Sequence, residues 1–235
     1  MLRAVSVRAL AFDVFGTVVD WRSSIVEEAR AMGARHGLER DWGAFADRWR
    51  ERYQPSLEQV RSGARPWTYL DRLHRESLQE LVAEFRLEAV SESELDHLNR
   101  AWHRLSPWPD SREGLRRLRE RFTLATLSNG NVGLLVDLVR EGDLPFHCVL
   151  SAELCQAYKP DPRTYRMVPS LLQLAPGEVM MVAAHPSDLR AAAGQGLATA
   201  YIRRPREWGS ATVVPDPDPG FDAVANDLVD LAGRL

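Results

Sequence analysis

The chain holds only two cysteines in 235 residues, Cys148 and Cys155. That number excludes a disulfide framework and a cysteine-rich metal centre, and it fits a reducing compartment. Both read as small hydrophobes. Long apolar runs are missing as well: none approaches the roughly 20 residues that span a bilayer, so no membrane partner is expected. The start, Met1-Leu2-Arg3-Ala4, carries no secretory h-region, and a cytoplasmic location is expected. Charge of one sign is lacking too, since 30 Lys and Arg against 33 Asp and Glu leave a net charge of -3. Without a basic field, nucleic acid is a poor match as partner. Internal repeats and low-complexity tracts are absent from the sequence. What remains is a globular mix, 45% hydrophobic and 27% charged, enough for one large domain or two small ones.

The most informative stretch runs from Arg8 to Asp20. Leu10 to Phe12 reads as a strand buried on both faces, as in a parallel sheet. Asp13 stands where that strand ends, and Gly16 permits a tight turn just beyond it. Ligands of open α/β sheets bind outside the carboxyl ends of the strands, so Asp13 is a candidate nucleophile. The ordinary alternative is an Asp that caps the next turn.

The following eighty residues are helical by pattern. Ser24-Ile25-Val26-Glu27 has the form of a capping box and predicts a helix to about His36-Gly37. Asp41 is placed to cap a second helix, whose Trp42, Phe45, Trp49 and Tyr53 share one face. Pro55 is expected to kink or interrupt it. Pro66 opens a third helix, Trp67 to about Phe85, and Ser91-Glu92-Ser93-Glu94 starts a fourth through Leu98, Trp102 and Leu105. Most of the aromatics here, Trp67 and Trp102 included, read as bundle core, with one or two turned to close a small dry pocket.

Ser106-Pro107-Trp108-Pro109 forms an exit linker, and helices and strands then alternate. The pattern predicts helix Ser111–Arg121, strand 122–127, helix Val132–Arg140 and a short strand near Cys148-Val149-Leu150. A helix over 163–172, strand 179–182, helix 187–195 and strand 198–202 follow. Val213 to Gly220 reads as a loop and Phe221–Leu235 as a final helix. Alternation of this kind implies a parallel sheet with right-handed crossovers. The reading is therefore an α/β fold, a Rossmann-like parallel-sheet core of residues 1–20 and 106–235. A four-helix bundle, residues 21–105, is inserted after the first strand as a cap over the strand ends.

Three further polar clusters end predicted strands on the edge that carries Asp13: Ser128-Asn129-Gly130, Tyr158-Lys159-Pro160 and His185-Pro186-Ser187-Asp188. Singly, Ser128 is an N-cap, Lys159 a surface lysine and Asp188 an N-terminal helix charge. Together they converge on one site. Asp13 would attack an electrophilic carbon or phosphorus. Thr17 and Ser128 offer hydroxyls, and the turn after Ser128 offers N–H groups to an anion. Lys159 would hold Asp13 ionised, and Asp188 would orient Lys159.

Asp13-Val14-Phe15-Gly16-Thr17, Leu127-Ser128-Asn129-Gly130, Tyr158-Lys159-Pro160-Asp161 and Asp188 resemble, in order and spacing, the haloacid dehalogenase superfamily. The run on to Pro162-Arg163-Thr164-Tyr165 is similar to the type II 2-haloacid dehalogenases. The resemblance implies that Asp13 displaces halide from C2 of a short 2-haloacid, the small-molecule partner. Water then cleaves the resulting ester to a 2-hydroxy acid, with halide the other product. It further implies that Ser128, Asn129 and Lys159 hold the substrate carboxylate, with Val14 and Phe15 also in the substrate site. Thr17, Tyr165 and Asp188 would order the Asp13–Lys159 centre and its water. An arginine of the second cap helix would receive the halide, Arg50 by the Trp49-Arg50 pairing, with Arg52 as the alternative. The resemblance also allows a homodimer.

The alternative activity is a phosphatase of the same fold acting on a small phosphorylated metabolite. Such enzymes resemble one another in a D-x-D motif whose second Asp is a proton donor, and here that position is Phe15. They also bind Mg²⁺ through an extra acid after the fourth core strand, where this chain reads Val182-Ala183-Ala184-His185. Asp13 and Asp188 alone are a thin oxygen set for Mg²⁺. No cofactor and no metal are therefore expected. His185 departs from the type II pattern, which has Ser and Asn and then a large aromatic where this chain has Ala183, His185 and Ser187. It reads either as a helix-cap histidine or as a pocket residue that donates a proton, for instance to fluoride, or binds the water. The other histidines, His36, His74, His97, His103 and His147, read as helix-surface or turn residues.

Overall fold

The computed structural model of the protein describes residues 6–209 and 219–235. Its centre is β1 (Ala9–Phe12), whose four residues are all buried. Side chains alternate across a strand. Leu10 and Phe12 accordingly join one hydrophobic cluster, and Ala9 and Ala11 join a second on the opposite face. The chain continues through β2 (Val19–Asp20), five helices and β3 (Ser106–Pro107). The helices are α1 (Trp21–Arg35), α2 (Trp42–Glu51), α3 (Tyr53–Arg61), α4 (Leu70–Glu84) and α5 (Glu92–Asn99). Then come α6 (Ser111–Arg119), β4 (Thr123–Thr126), α7 (Val132–Glu141), α8 (Pro162–Leu172) and β5 (Val179–Ala183). The chain closes with α9 (Pro186–Ala193), β6 (Ala198–Ile202), β7 (Ala223–Ala225) and α10 (Leu228–Arg234).

The main sheet has the order β4-β1-β5-β6-β7, and every pairing in it is parallel. Phe12 is in register with Thr126 on one side and Val182 on the other. Three strands thus end level with one another, and the residues after each meet above the same edge. Core-facing residues of α6, α7 and α10 cover the Leu10/Phe12 face, and those of α8 and α9 cover the alanine face. Small residues on that second face let the helices approach closely.

The five helices leave and rejoin the sheet region through a two-stranded antiparallel ribbon, in which Val19 pairs with Pro107 and Asp20 with Ser106. Ser24 Oγ donates to Asp20 O (2.7 Å) and accepts from Ser106 N (2.9 Å), which ties entry and exit together. Inside the helical segment Trp49 lies edge-on to Trp102 (5.5 Å, 80°) and donates from Nε1 to His74 O (3.0 Å). Phe15, from the sheet side, meets Trp102 at 5.9 Å. One hydrophobic cluster therefore runs from sheet to helices without a gap.

Several boundaries differ from the sequence reading, each for a local reason. Helix α1 starts at Trp21, because the Asp20 carboxylate caps Ser23 N (3.0 Å) while Ser24 serves the ribbon instead. The second helix breaks at Arg52, ahead of Pro55, which falls in the first turn of α3 where no N–H is needed. Residues 66–69 precede α4 as a non-helical stretch, held by Tyr158 OH donating to Thr68 O (2.6 Å) and by Trp67, whose ring lies 4.5 Å from the Tyr158 ring at a 33° tilt. Ser91 forms the capping box with Glu94 as expected, and α5 gives way to a 3-10 turn, Arg100–His103.

The short strand near Cys148 is reduced to single backbone pairings of Ala125 with Cys148 and Ser128 with Ser151. Thr126 Oγ1 accepts from Leu150 N (2.9 Å) and donates to Leu150 O (2.9 Å), taking over bonds a ladder would use. The segment read as one final helix begins with β7, since Ala223-Val224-Ala225 pairs with the edge of β6. Of the expected loop from Val213, residues 213–218 lie outside the described residues. His74 and His103 are buried, not superficial. No helix among the described residues is long and apolar enough to cross a membrane.

Candidate active site

Asp13 follows β1 directly, and its N–H still donates to Val182 O (3.0 Å), so the carboxylate is fixed at the sheet edge. Its side chain is 12% exposed. Oδ2 accepts from Thr17 Oγ1 at 2.8 Å. The Thr17 oxygen itself accepts from Ala184 N (2.9 Å), which leaves the hydroxyl hydrogen for Asp13. Oδ1 faces Lys159 Nζ at 3.4 Å, a longer contact. Oδ1 is therefore the less encumbered oxygen.

Lys159, the only lysine in the chain, reaches the edge from the loop before α8. Its Nζ donates to Asp188 Oδ2 (2.7 Å), and Tyr165 OH donates to Asp188 Oδ1 (2.6 Å). Both oxygens of Asp188 are thus engaged. The Lys159 backbone is held equally firmly, with N donating to Asn129 Oδ1 (2.8 Å) and O accepting from Arg61 Nη1 (2.9 Å). Asn129 Nδ2 continues to Tyr53 OH (3.0 Å) on α3, linking sheet to helices. Burial alone would raise the Asp13 pKa, but the Lys159 charge, His185 and Thr17 outweigh it and hold the carboxyl well below the usual range. Burial would likewise lower the Lys159 pKa, and Asp188 and Asp13 overcome it and raise it.

His185 is the N-cap residue of α9, and its ring bridges two acids. Nδ1 lies 3.1 Å from Asp13 Oδ2 and Nε2 lies 2.9 Å from Glu207 Oε1. An ionised carboxylate can only accept, so both ring nitrogens carry hydrogen in this arrangement. Burial disfavours that charge, yet Glu207 and Asp13 prevail and push the His185 pKa up to about 10. Glu207 lies in the segment after β6, is buried, and also accepts from Trp21 Nε1 (3.2 Å). Its place depends on Gly16, whose φ is +82° and where a Cβ would stand 2.1 Å from Glu207 Oε1.

Above the edge lies a cavity of about 810 Å³. Asp13, Phe15, Arg50, Asn129, Lys159, Tyr165, His185 and Asp188 all line it. In the same cavity, the Arg50 guanidinium rests 4.1 Å from the Tyr53 ring centroid, 5.4 Å from Trp21 and 6.0 Å from Phe15. Its Nη1 is buried and has no hydrogen-bond partner among the described residues. A buried cationic donor without a partner is costly unless an anion visits it. Arg52 points elsewhere and is bound to Glu80 (3.0 Å) and Glu84 (2.7 Å).

Of the residues the sequence singled out, Val14, Thr17 and Ser128 do not line the cavity. Val14 is in the hydrophobic core, Thr17 acts through Asp13, and Ser128 Oγ accepts from Gly130 N (3.1 Å). Glu207 and Arg204, which donates to Thr17 O (2.9 Å), were not found from sequence, and Tyr53 was read only as one of the aromatics on the second helix. Glu207 and Arg204 lie just after a parallel strand, the one signal that pointed to this edge. No cluster of three or more His, Cys, Asp or Glu side chains suited to a metal ion occurs among the described residues.

The fold and site define an α/β enzyme whose buried carboxylate is poised at the end of a central parallel strand. A family model described as haloacid dehalogenase-like hydrolase matches residues 7–196, and the chain belongs to that family. Among curated relatives, (S)-2-haloacid dehalogenase 4A of Burkholderia cepacia is 31% identical over 202 residues, covering 85% of this chain and 84% of the relative. Among solved structures, a defluorinating L-2-haloacid dehalogenase is 45% identical with a TM-score of 0.94, covering 99% of this chain and 97% of the other. The L-2-haloacid dehalogenase of Xanthobacter autotrophicus with chloropropionic acid covalently bound is 27% identical, with a TM-score of 0.79 and 97% of each chain covered.

Proposed function

We propose that the protein hydrolyses short 2-haloacids, haloacetates and L-2-haloalkanoates among them, to 2-hydroxy acids through an ester on Asp13. The observation that carries this reading is one cavity lined both by Asp13, whose Oδ1 is its less encumbered oxygen, and by Arg50, whose buried Nη1 has no hydrogen-bond partner among the described residues. Displacement at carbon is in line, so a halide expelled by Oδ1 leaves on the far side of the carbon, toward the cation on its aromatic bed. Lys159 keeps the nucleophile ionised and offers its charge to the substrate carboxylate. The covalently bound acid in the Xanthobacter relative supports the ester. The helical segment 21–105 serves as the cap over a core of 1–20 and 106–235. It excludes water and supplies Arg50 and Tyr53.

Halides other than fluoride depart from carbon without a proton, so their displacement needs neither the second acid of phosphatases nor a metal. Phe15 stands where that acid would be, and its ring borders Trp102 and Arg50. The contact of His185 with Asp13 Oδ2 argues against a donor to departing fluoride, because it lies on the nucleophile's side of the carbon. The test is halide release from fluoro-, chloro- and bromoacetate and both 2-chloropropionate enantiomers, with and without EDTA. Release indifferent to EDTA is expected, and repeated turnover in heavy-oxygen water should place label in Asp13. Magnesium-dependent phosphate release from an aryl phosphate, without halide release, would establish the phosphatase alternative instead.

A further inference from the structure

The hydrolytic half of the proposed reaction needs a group that stabilises negative charge on the ester carbonyl oxygen. We infer that His185 and Thr17 form an oxyanion hole around Asp13 Oδ2, with Glu207 positioning the imidazolium. This rests on the dehalogenase reading and adds a role for a bridge that the displacement step does not use.

The argument begins from which oxygen does what. Oδ2 already accepts two hydrogen bonds, at 2.8 and 3.1 Å, whereas among the described residues Oδ1 has only Lys159 at 3.4 Å. Oδ1 is the one free to bond to C2, which makes Oδ2 the carbonyl oxygen of the ester. Its donors cannot turn away. The Thr17 hydroxyl is aimed by the Ala184 N–H, and the His185 ring is pinned by Glu207, itself held by Trp21. Water adds to Cγ, and the carbonyl π pair moves onto Oδ2, between an O–H and a charged N–H. Collapse returns that pair and breaks the Cγ–Oδ1 bond, so Oδ1 leaves as the hydroxyl oxygen of the product. Of the two water protons, one ends on that hydroxyl and the other is released to solvent as Asp13 regains its charge. Donors fixed before charge develops lose nothing to reorganisation when it appears.

The ring must stay charged after Asp13 is esterified and no longer an anion. The groups facing it are Asp13 at the end of β1 and Glu207 beyond β6, with Lys159 and Asp188 on the far side of Asp13. Glu207 is the acid that remains in contact, and its 5% exposure keeps solvent from screening it. The elevated pKa of His185 has Glu207 as its chief favourable cause, in agreement with this arrangement.

The two steps are separated by single turnover of chloroacetate, with chloride timed as step one, glycolate as step two, and ester by intact mass. For His185→Gln we expect a retained chloride burst, hydrolysis slowed by about 10²–10³-fold, and accumulated ester. In the wild type, hydrolysis should be level through neutral pH and fall at alkaline pH, as the imidazolium is lost. Glu207→Gln should move that fall to lower pH, a change that a merely structural role would not produce. Hydrolysis that rises with pH through neutrality would make His185 a general base and overturn the inference. So would unchanged hydrolysis in His185→Gln, or joint loss of burst and hydrolysis there with an unmoved pH profile in Glu207→Gln. Absence of any chloride release from the wild type would instead refute the dehalogenase reading itself.

Discussion

Gly16→Ala tests the link between backbone conformation and the charged bridge. Two costs follow from the structure. The backbone at φ +82° is in the left-handed region, where a Cβ costs about 1–2 kcal/mol. The new Cβ would also overlap Glu207 Oε1 at 2.1 Å. A carboxylate tip moves easily in steric terms, but this one is buried and accepts from His185 and Trp21. Losing charge-assisted hydrogen bonds of that kind costs about 1.5–3 kcal/mol. The sum is about 2.5–5 kcal/mol, and at about 2–4 °C per kcal/mol for a chain of this size the Tm should fall by about 10 °C. The assay is thermal and denaturant unfolding of four proteins: wild type, Gly16→Ala, Glu207→Ala and the double variant. With Glu207 shortened, Gly16→Ala should cost only the backbone part, so the cycle should return a coupling of about 1.5–3 kcal/mol. Equal costs of Gly16→Ala in both backgrounds would refute the claim that Glu207 is what the glycine makes room for.

Arg50→Met should lower halide release by about 10²-fold or more, as loss of a preorganised donor to developing charge does, while thermal unfolding changes little. Arg52→Met, which breaks only surface pairs worth about 0.2–1 kcal/mol, should stay within a few-fold of wild type. The reverse ranking in a steady-state halide assay would reassign the halide site. A second consequence concerns His103, which joins Asp71 on α4 to Asp137 on α7 at 3.1 and 2.8 Å. Burial opposes its charge, but the two acids prevail and raise its pKa above the ordinary value. Its contribution is therefore fully present below the unfolded value of about 6.5 and is lost as pH rises through the folded value. The stability difference between wild type and His103→Gln, read from urea unfolding, should shrink from about pH 6 to pH 9. A difference that grows with pH would contradict the assigned charge.

Much of this protein was legible in its sequence because the signals are local. Alternation of strands and helices after residue 106 reflects hydrophobic periodicity, which each segment carries by itself, and the parallel sheet bears it out. Ser91 capped its helix as read, since a capping box needs only residues three apart. Asp13 and Asp188 share one edge because the first follows a strand and the second lies in the first turn of a helix, where main-chain geometry leaves little choice of neighbours, and Lys159 joins them from the loop before α8.

Tertiary packing decided what sequence left open. Arg50 and Arg52 are two residues apart at the end of α2, with nothing in the sequence around them to separate them. Only the packing of α2 among its neighbours turns Arg50 to the cavity and Arg52 to Glu80 and Glu84. Ser24-Ile25-Val26-Glu27 had the form of a cap but lost the role to Asp20, because the ribbon partner Ser106 claimed the Ser24 hydroxyl. Glu207 carries no motif, and it becomes part of the site because β6 delivers it beneath Gly16 and beside His185, 22 residues away in sequence. A strand end and a helix cap are properties of a few adjacent residues. The charge on one imidazole depends on two acids brought together from opposite ends of the chain.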